Sequence, residues 1–189
     1  MVGASLPGSI DLSRDWKFAR LEGDTQWSAE LSNRLNWLTV HLPHTPQLHT
    51  PRSNQVWQGV CVYRKRLQAP SIAPGGQVIL SFGAAMHKAD VYWNDKLIAT
   101  HFGGYLPVVE DLTAELTQTP EGDLVVVLDN RDDPTIPPGK PQASVDFAYF
   151  GGLHRYAGLI TNHAIRISDP FLTTGAGRGG VFVSYERVS

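Results

Sequence analysis

Apolar and polar positions alternate in short stretches along this chain, and the stretches are separated by turns rich in glycine, proline and asparagine. A period of two is the signature of a half-buried β-strand. Residues 10–20 read as a first strand, with Trp16 and Phe18 inward around Lys17 and Trp16 as a core aromatic. Residues 37–43 read as a second strand. In residues 60–67, Val60, Val62 and Arg64 fall on one face and Cys61, Tyr63 and Lys65 on the other. Residues 78–82 are almost continuously apolar, as expected of a strand covered on both faces. Val91, Trp93, Leu97 and Ala99 flank Asn94-Asp95, two residues that tolerate left-handed backbone, so this segment predicts a hairpin. Residues 124–130 and 159–168 complete the strands. Residues 28–37 are the one helical turn expected, and residues 114–119 read as a connector. Many short strands with hardly any helix predict an all-β sandwich.

The breaks are informative as well. Residues 45–59 form a long polar loop, a length that in compact domains usually signals function or mobility. Residues 130–141 hold Pro134, Pro137, Pro138 and Pro141, which bars them from a central strand or a helix interior. Gly103-Gly104 and Gly151-Gly152 read as places of close backbone approach or positive φ. Neither pair opens a helix, so neither is a phosphate loop.

Composition narrows the function. At 189 residues the chain suits one domain with a short tail. With 42% hydrophobic and 18% charged residues it is globular rather than disordered. A formal charge of −2 and the lack of a basic run argue against nucleic acid and anionic membranes as partners. Cys61 is the single cysteine, so neither an internal disulfide nor a cysteine metal cluster is available. It reads as a buried small hydrophobe. The histidines have no ligand spacing, and no metal site is expected. His44 reads as a loop cap held by hydrogen bonds. The first ten residues lack a basic start and an apolar core, and no stretch approaches a membrane span. Cytoplasmic, periplasmic and secreted placement all remain compatible with the sequence.

Residues 91–113, VYWNDKLIATHFGGYLPVVEDLT, resemble a run found in the N-terminal sugar-binding domain of glycoside hydrolase family 2. That family contains β-galactosidases, β-glucuronidases and β-mannosidases. Trp93 replaces the usual aliphatic residue there, and Asp95 the usual glycine. Four further stretches resemble family phrases in the family's order: the segment around Trp16 and Phe18, residues 37–44, the strand at 60–67 and the strand at 124–130. The likeness covers about residues 10–170. It implies a jelly-roll β-sandwich of the galactose-binding type over residues 1–170. It also implies that residues 171–189 are a linker and the start of a following immunoglobulin-like domain, because family members begin that domain in a way similar to Val181-Phe182-Val183.

Family 2 hydrolysis is retaining and uses two carboxyl groups that flank the scissile bond. In the family both lie on a barrel downstream. Glu22, Glu30, Glu110, Glu115, Glu121 and Glu186 are scattered here, and no zinc-protease, nucleophile-elbow, P-loop or CxxC pattern occurs. No catalytic residue is therefore expected in this chain. Asp146, in residues 146–155 (DFAYFGGLHR), resembles a family aspartate that reaches into the barrel's active site and contacts sugar hydroxyls, sometimes beside an alkali cation. The bland alternative is a surface aspartate that caps a turn. Asp132, Asp133 and Lys140 are candidates for the rim of the same site. Trp57, in a polar loop, is a candidate for stacking on a sugar face; Tyr105 is a weaker one, and Trp93 reads as core. Arg155 is expected to pair with a carboxylate inside the sandwich.

The resemblance implies a carbohydrate-binding and structural domain of a β-galactosidase-like exo-β-glycosidase. Its partners would be a terminal β-linked sugar, the enzyme's remaining domains and, in a homo-oligomer, further copies of that enzyme. No cofactor is expected of the chain itself, and an alkali or divalent cation would belong to the whole enzyme. Two other readings stay open: a stand-alone carbohydrate-binding module, and a purely structural interaction domain.

Overall fold

Alternating side chains sort the chain into two antiparallel sheets. The computed structural model describes residues 8–23, 25–47, 57–148, 150–172 and 180–181. The strands are β1 (Gly8–Asp11), β2 (Trp16–Arg20), β3 (Leu38–Val40), β4 (Val60–Gln68), β5 (Gln77–Phe82), β6 (Lys88–Trp93), β7 (Lys96–Phe102), β8 (Val108–Asp111), β9 (Glu121–Asp129) and β10 (Ala157–Asn162). One sheet runs β1-β10-β5-β8 and the other β3-β2-β4-β9-β6-β7. The inward positions of β4 and β9 are buried in one cluster: Cys61, Tyr63 and Leu67, then Leu124, Val126 and Leu128. They meet Val78, Leu80 and Phe82 of β5 and Leu159 of β10 across the sandwich. Trp16 is fully buried, its indole N–H donating to the Leu12 carbonyl at 2.5 Å. Each such side chain contributes on the order of 1.5–3 kcal/mol of transfer free energy. β5 is buried at five consecutive positions, Val78 to Phe82, the covered strand that its apolar run predicts. Burial pushes the Cys61 thiol far above its ordinary pKa, so it packs as a hydrophobe. The all-β sandwich expected from the alternation is the observed class.

A second, smaller cluster lies on the outer face of the six-stranded sheet. Val60, Val62 and Val125 are covered there by Trp27, Leu31, Leu35 and Trp37. The covering segment contains the short helix α1 (Ala29–Ser32), whose first turn is capped by the Ser28 hydroxyl accepting from the Leu31 amide at 3.3 Å. This is the expected helical turn.

Several elements differ from the sequence reading: the last strand, expected over residues 159–168, ends at Asn162, and β8 is a strand that the alternation does not mark. The first strand is split into β1 and β2, which belong to different sheets. The Asp11 carboxylate accepts from the Ser13 amide at 2.8 Å, and Asp15 takes φ +56°. A turn stabilised by aspartate thus interrupts what alternation alone reads as continuous. The connector at 114–119 contains the helix α2 (Thr113–Gln118). Leu112 and Leu116, four residues apart, are both 1% exposed and form its buried face. Asp111 bonds the Thr113 amide at 2.9 Å and so starts the helix. Residues 173–179 and 182–189, where the expected linker and neighbouring domain begin, lie outside the described residues.

Candidate functional site

The proline-rich loop that leaves β9 and the return to β10 close over one end of the sandwich. Asn130, buried to 2%, is the central pin. Its side-chain oxygen accepts from the Gly59 amide at 2.8 Å and its side-chain NH2 donates to the Trp57 carbonyl at 2.9 Å. Gly151 (φ +73°) packs where a Cβ would sit 2.6 Å from the Asn130 amide nitrogen. Gly152 (φ +87°) packs still tighter, because a Cβ there would meet the His44 carbonyl at 2.5 Å and the Tyr63 hydroxyl at 2.8 Å. Only glycine combines that φ with that approach. Gly152 and Met86 exchange two backbone hydrogen bonds, at 3.0 and 3.1 Å, and the His44 amide donates to the Leu153 carbonyl at 2.8 Å. The glycine pair is therefore the fixed base from which residues 146–150 project.

Asp146 is exposed. Its carboxylate forms no hydrogen bond or ion pair with the described residues, unlike the other loop aspartates. Asp132 accepts from the Gln58 side chain at 2.7 Å and from the Gln142 amide at 2.9 Å. It thereby ties the loop before β4 to the short 3₁₀ turn Gln142–Ser144, and Gln142 in turn donates to the Phe147 carbonyl at 2.8 Å. Asp133 turns back on its own loop, accepting from the Thr135 amide at 2.7 Å and hydroxyl at 2.6 Å. Those bonds, the hydroxyl's first, hold its carboxyl below the ordinary range. Asp132 is thus joined to the Asp146 segment, while Asp133 caps a separate turn. Lys140 is exposed on the same loop. Trp57 is half-buried, packs against the main core, and carries the Arg20 guanidinium 5.1 Å from its ring centre. Trp93 is core at 3% exposure, and Tyr105 is 52% exposed.

Arg155 does not pair with a carboxylate inside the sandwich. Its side chain is exposed and donates to the carbonyls of Gly83 (3.4 Å) and Tyr105 (3.2 Å). A five-donor guanidinium satisfies itself on loop carbonyls as readily as on an acid, and here it staples the Gly103-Gly104 loop to the loop that carries Asp146. His44 is the cap the sequence suggests: its Nδ1 lies 2.7 Å from the Tyr63 hydroxyl.

A cavity of about 150 Å³ opens at the loop end, lined by Met86, Tyr105, Ala148, Phe150, Gly151 and His154. The His154 Nε2 is buried and has no hydrogen-bond partner. Burial, assisted by Arg155, holds its imidazole below the ordinary histidine value. Sequence reasoning did not find this cavity, nor the part played by Gln58 and Gln142. Gln58 donates to Asn130 and Asp132, far along the chain, and periodicity carries no trace of such pairs. Among the described residues no group of three or more histidine, cysteine or acidic side chains is placed to hold a metal ion.

The fold and the loop end define the class: a two-sheet antiparallel sandwich that presents its polar chemistry on loops at one edge. No family model matches the chain. It is 29% identical over 139 residues to a β-galactosidase of Thermoanaerobacter pseudethanolicus, a match covering 72% of this chain and 18% of that protein. It is 27% identical over 197 residues to a β-glucuronidase of Paenibacillus borealis, covering 90% of this chain and 32% of that one. Among solved structures, β-glucuronidase 2 of Bacteroides uniformis superposes with a TM-score of 0.68 at 29% identity, over 82% of this chain and 18% of that one. The chain belongs to the family of these β-glucuronidases and β-galactosidases, glycoside hydrolase family 2. It spans about a fifth to a third of the length of the two relatives.

Proposed function

We propose that this chain is the N-terminal sugar-binding jelly-roll domain of a retaining exo-β-glycosidase that cleaves terminal β-galactosides. In this reading the catalytic carboxyl pair belongs to another domain of the enzyme, and this chain braces that domain and lends Asp146 to its sugar pocket. One observation carries the reading: an exposed carboxylate with every described acceptor site open, projecting from a loop anchored by Gly151, Gly152 and Arg155. A carboxylate so held accepts hydrogen bonds from sugar hydroxyls and fixes the ring's orientation. The same charge repels a uronate, which favours a neutral galactoside over a glucuronide. Asp132 serves this site from behind, through Gln142. Lys140, exposed on the same loop, stands at the rim.

Two of the chain's glutamates sit in ion pairs, Glu115 with Lys96 at 3.0 Å and Glu121 with Arg66 at 3.1 Å. The test uses the full-length enzyme. Asp146→Ala and Asp146→Asn should each lower kcat/KM on nitrophenyl β-galactoside about ten- to hundredfold, the value of a charged hydrogen bond that tightens in the transition state. A change within about twofold, under 0.5 kcal/mol, would make Asp146 a surface residue. A wild-type preference for nitrophenyl β-glucuronide would overturn the galactoside assignment.

A further inference from the structure

The outer face of the six-stranded sheet, where β9 runs into the proline-rich loop, holds a larger cleft, about 410 Å³. Its floor is formed by Val60 of β4 and Val127 of β9, and one wall by residues 25–27, including Trp27. The register across the sheet builds the rest. Val60 lies opposite Asp129, Asp129 opposite Lys88, and Lys88 opposite Phe102. Directly opposed residues share a face, so these four form one row across four strands. Phe102 is 60% exposed, with the Lys88 ammonium 5.9 Å from its ring centre.

The charges in this cleft are already matched. Arg131 donates to both oxygens of Asp129, the shortest bond being 2.7 Å, and Lys88 lies 3.7 Å from Asp90. Asp90 also accepts from the Thr100 hydroxyl at 2.7 Å. Tyr92, on the same strand, is half-buried. Burial first, and the Asp90 charge second, push its phenol's pKa up, so it stays a hydrogen-bond donor. The cleft thus offers donors and acceptors held in place by one another, with aromatic surface from Trp27 and Tyr92 and no net charge, and the exposed Phe102 ring extends the same row beyond Lys88.

We propose that this cleft is a second binding site, for a neutral oligosaccharide. Its volume falls within the range of small-ligand sites. Vicinal hydroxyls both donate and accept, which suits a row in which N–H groups and carboxylate oxygens alternate. Aromatic side chains give the apolar face of a sugar ring something to pack on. An anionic ligand would have to displace Asp129 from Arg131 or Asp90 from Lys88 and would strand a carboxylate in doing so. A protein partner is disfavoured because interface centres are depleted of charge, and four charged residues sit here. The proposal is independent of Asp146, which lies on the loop end.

The experiment is titration calorimetry of the 189-residue chain with cellotetraose, xylotetraose and β-1,4-galactotetraose, with trigalacturonate as the charged probe. At least one neutral tetrasaccharide should bind saturably and more tightly than trigalacturonate. Trp27→Ala should weaken it about tenfold, and Lys88→Ala and Phe102→Ala severalfold. Trp27 also covers Val60 and Val62, so the other two variants decide the matter if Trp27→Ala unfolds. Binding that persists in Asp146→Ala but is weakened in Lys88→Ala and Phe102→Ala separates this site from the loop-end site. Absence of saturable binding up to about 5 mM, tighter binding of trigalacturonate, or unchanged affinity in both Lys88→Ala and Phe102→Ala would each overturn it.

Discussion

The Tyr63 hydroxyl lies 2.7 Å from Nδ1 of His44 at the base of the loop end. Burial pushes the Tyr63 phenol's pKa well up and, with the Arg20 charge, pushes the His44 imidazole's down. Both groups are therefore neutral near pH 7. A single proton thus joins the phenol oxygen and Nδ1, and the imidazole tautomer sets which of the two donates. The His44 ring also packs edge-on against Phe18, with centroids 4.6 Å apart. This pair connects the fully buried wall of the core to the segment that carries Gly151 and Gly152.

Tyr63→Phe should keep the packing and remove one buried hydrogen bond, leaving His44 Nδ1 without that partner. The expected loss is about 1–2 kcal/mol. For a domain of this size that is a fall of roughly 2–8 °C in thermal midpoint. Calorimetry of the two proteins measures it, and an unchanged midpoint would show that water replaces the bond.

Acid should weaken the fold before the carboxylates titrate. His44, His101 and His154 all have pKa values lowered below 6.5, each chiefly by burial. For a group with a depressed folded pKa, the unfolded chain binds more protons between the two values, so stability rises with pH there. The contribution is fully present above about pH 6.5 and is lost as pH falls through the folded values. Glu110, raised by burial, acts in the opposite sense, but it is one group against three. The thermal midpoint should drop between about pH 7.5 and pH 5.5. A midpoint that holds or rises over that interval would contradict the assignment.

Gly152→Ala tests whether the glycine pair anchors the loop. The substitution forces alanine into φ +87° and drives its Cβ to 2.5 Å from the His44 carbonyl oxygen. Backbone is the obstacle, so a side-chain shift cannot relieve it. We expect a loss on the order of 1–3 kcal/mol. Gly23→Ala is the control: φ is +57° there, but nothing lies within 4 Å of the added Cβ. Urea denaturation of the two variants should rank Gly152→Ala as clearly the more damaging; equal midpoints would dissolve the anchor argument.

Much of the sandwich was legible because alternation and turn chemistry are local. Asn94 and Asp95 adopt φ +45° and +68°, as their turn role requires, and Asn94 accepts from the Asp123 amide at 2.9 Å. The helix α2 escaped because six residues are too few to establish a 3.6 period, although Asp111 and the Leu112–Leu116 spacing were present in the sequence. The split of the first strand escaped because a left-handed Asp15 leaves no mark in the alternation. At the loop end, the resemblance singled out Asp146 and set Asp132 and Asp133 at the rim, but the sequence could not tell those two apart. Asp133 is satisfied by Thr135 two residues on, a local pattern that could have been read. Asp132 is satisfied by Gln58, 74 residues away, which could not.

The sharpest contrast at the loop end is between Asp146 and Arg155. Their positions in one short stretch suggest a shared role, but their surroundings assign them opposite ones. Asp146→Ala removes an exposed carboxylate that makes no hydrogen bond with the described residues, so nothing in the fold is left unpaired. The thermal midpoint of the chain should stay within about 1–2 °C, equivalent to under 0.5 kcal/mol. Arg155→Ala removes two charge-assisted bonds to the carbonyls of Gly83 and Tyr105. Because the guanidinium is exposed, water replaces much of what is lost, and the cost should be modest, roughly 0.5–1.5 kcal/mol. That is less than the 3–5 kcal/mol expected had it been half of a buried ion pair. Its effect should instead be local: the amides of residues 103–107 and 150–155 should exchange with deuterium faster in Arg155→Ala while the β4 and β9 amides keep their protection. Uniformly faster exchange across both sheets, or a loss above 3 kcal/mol, would restore a buried partner for Arg155. Destabilisation by Asp146→Ala would make Asp146 a structural cap and remove the basis for its sugar contact.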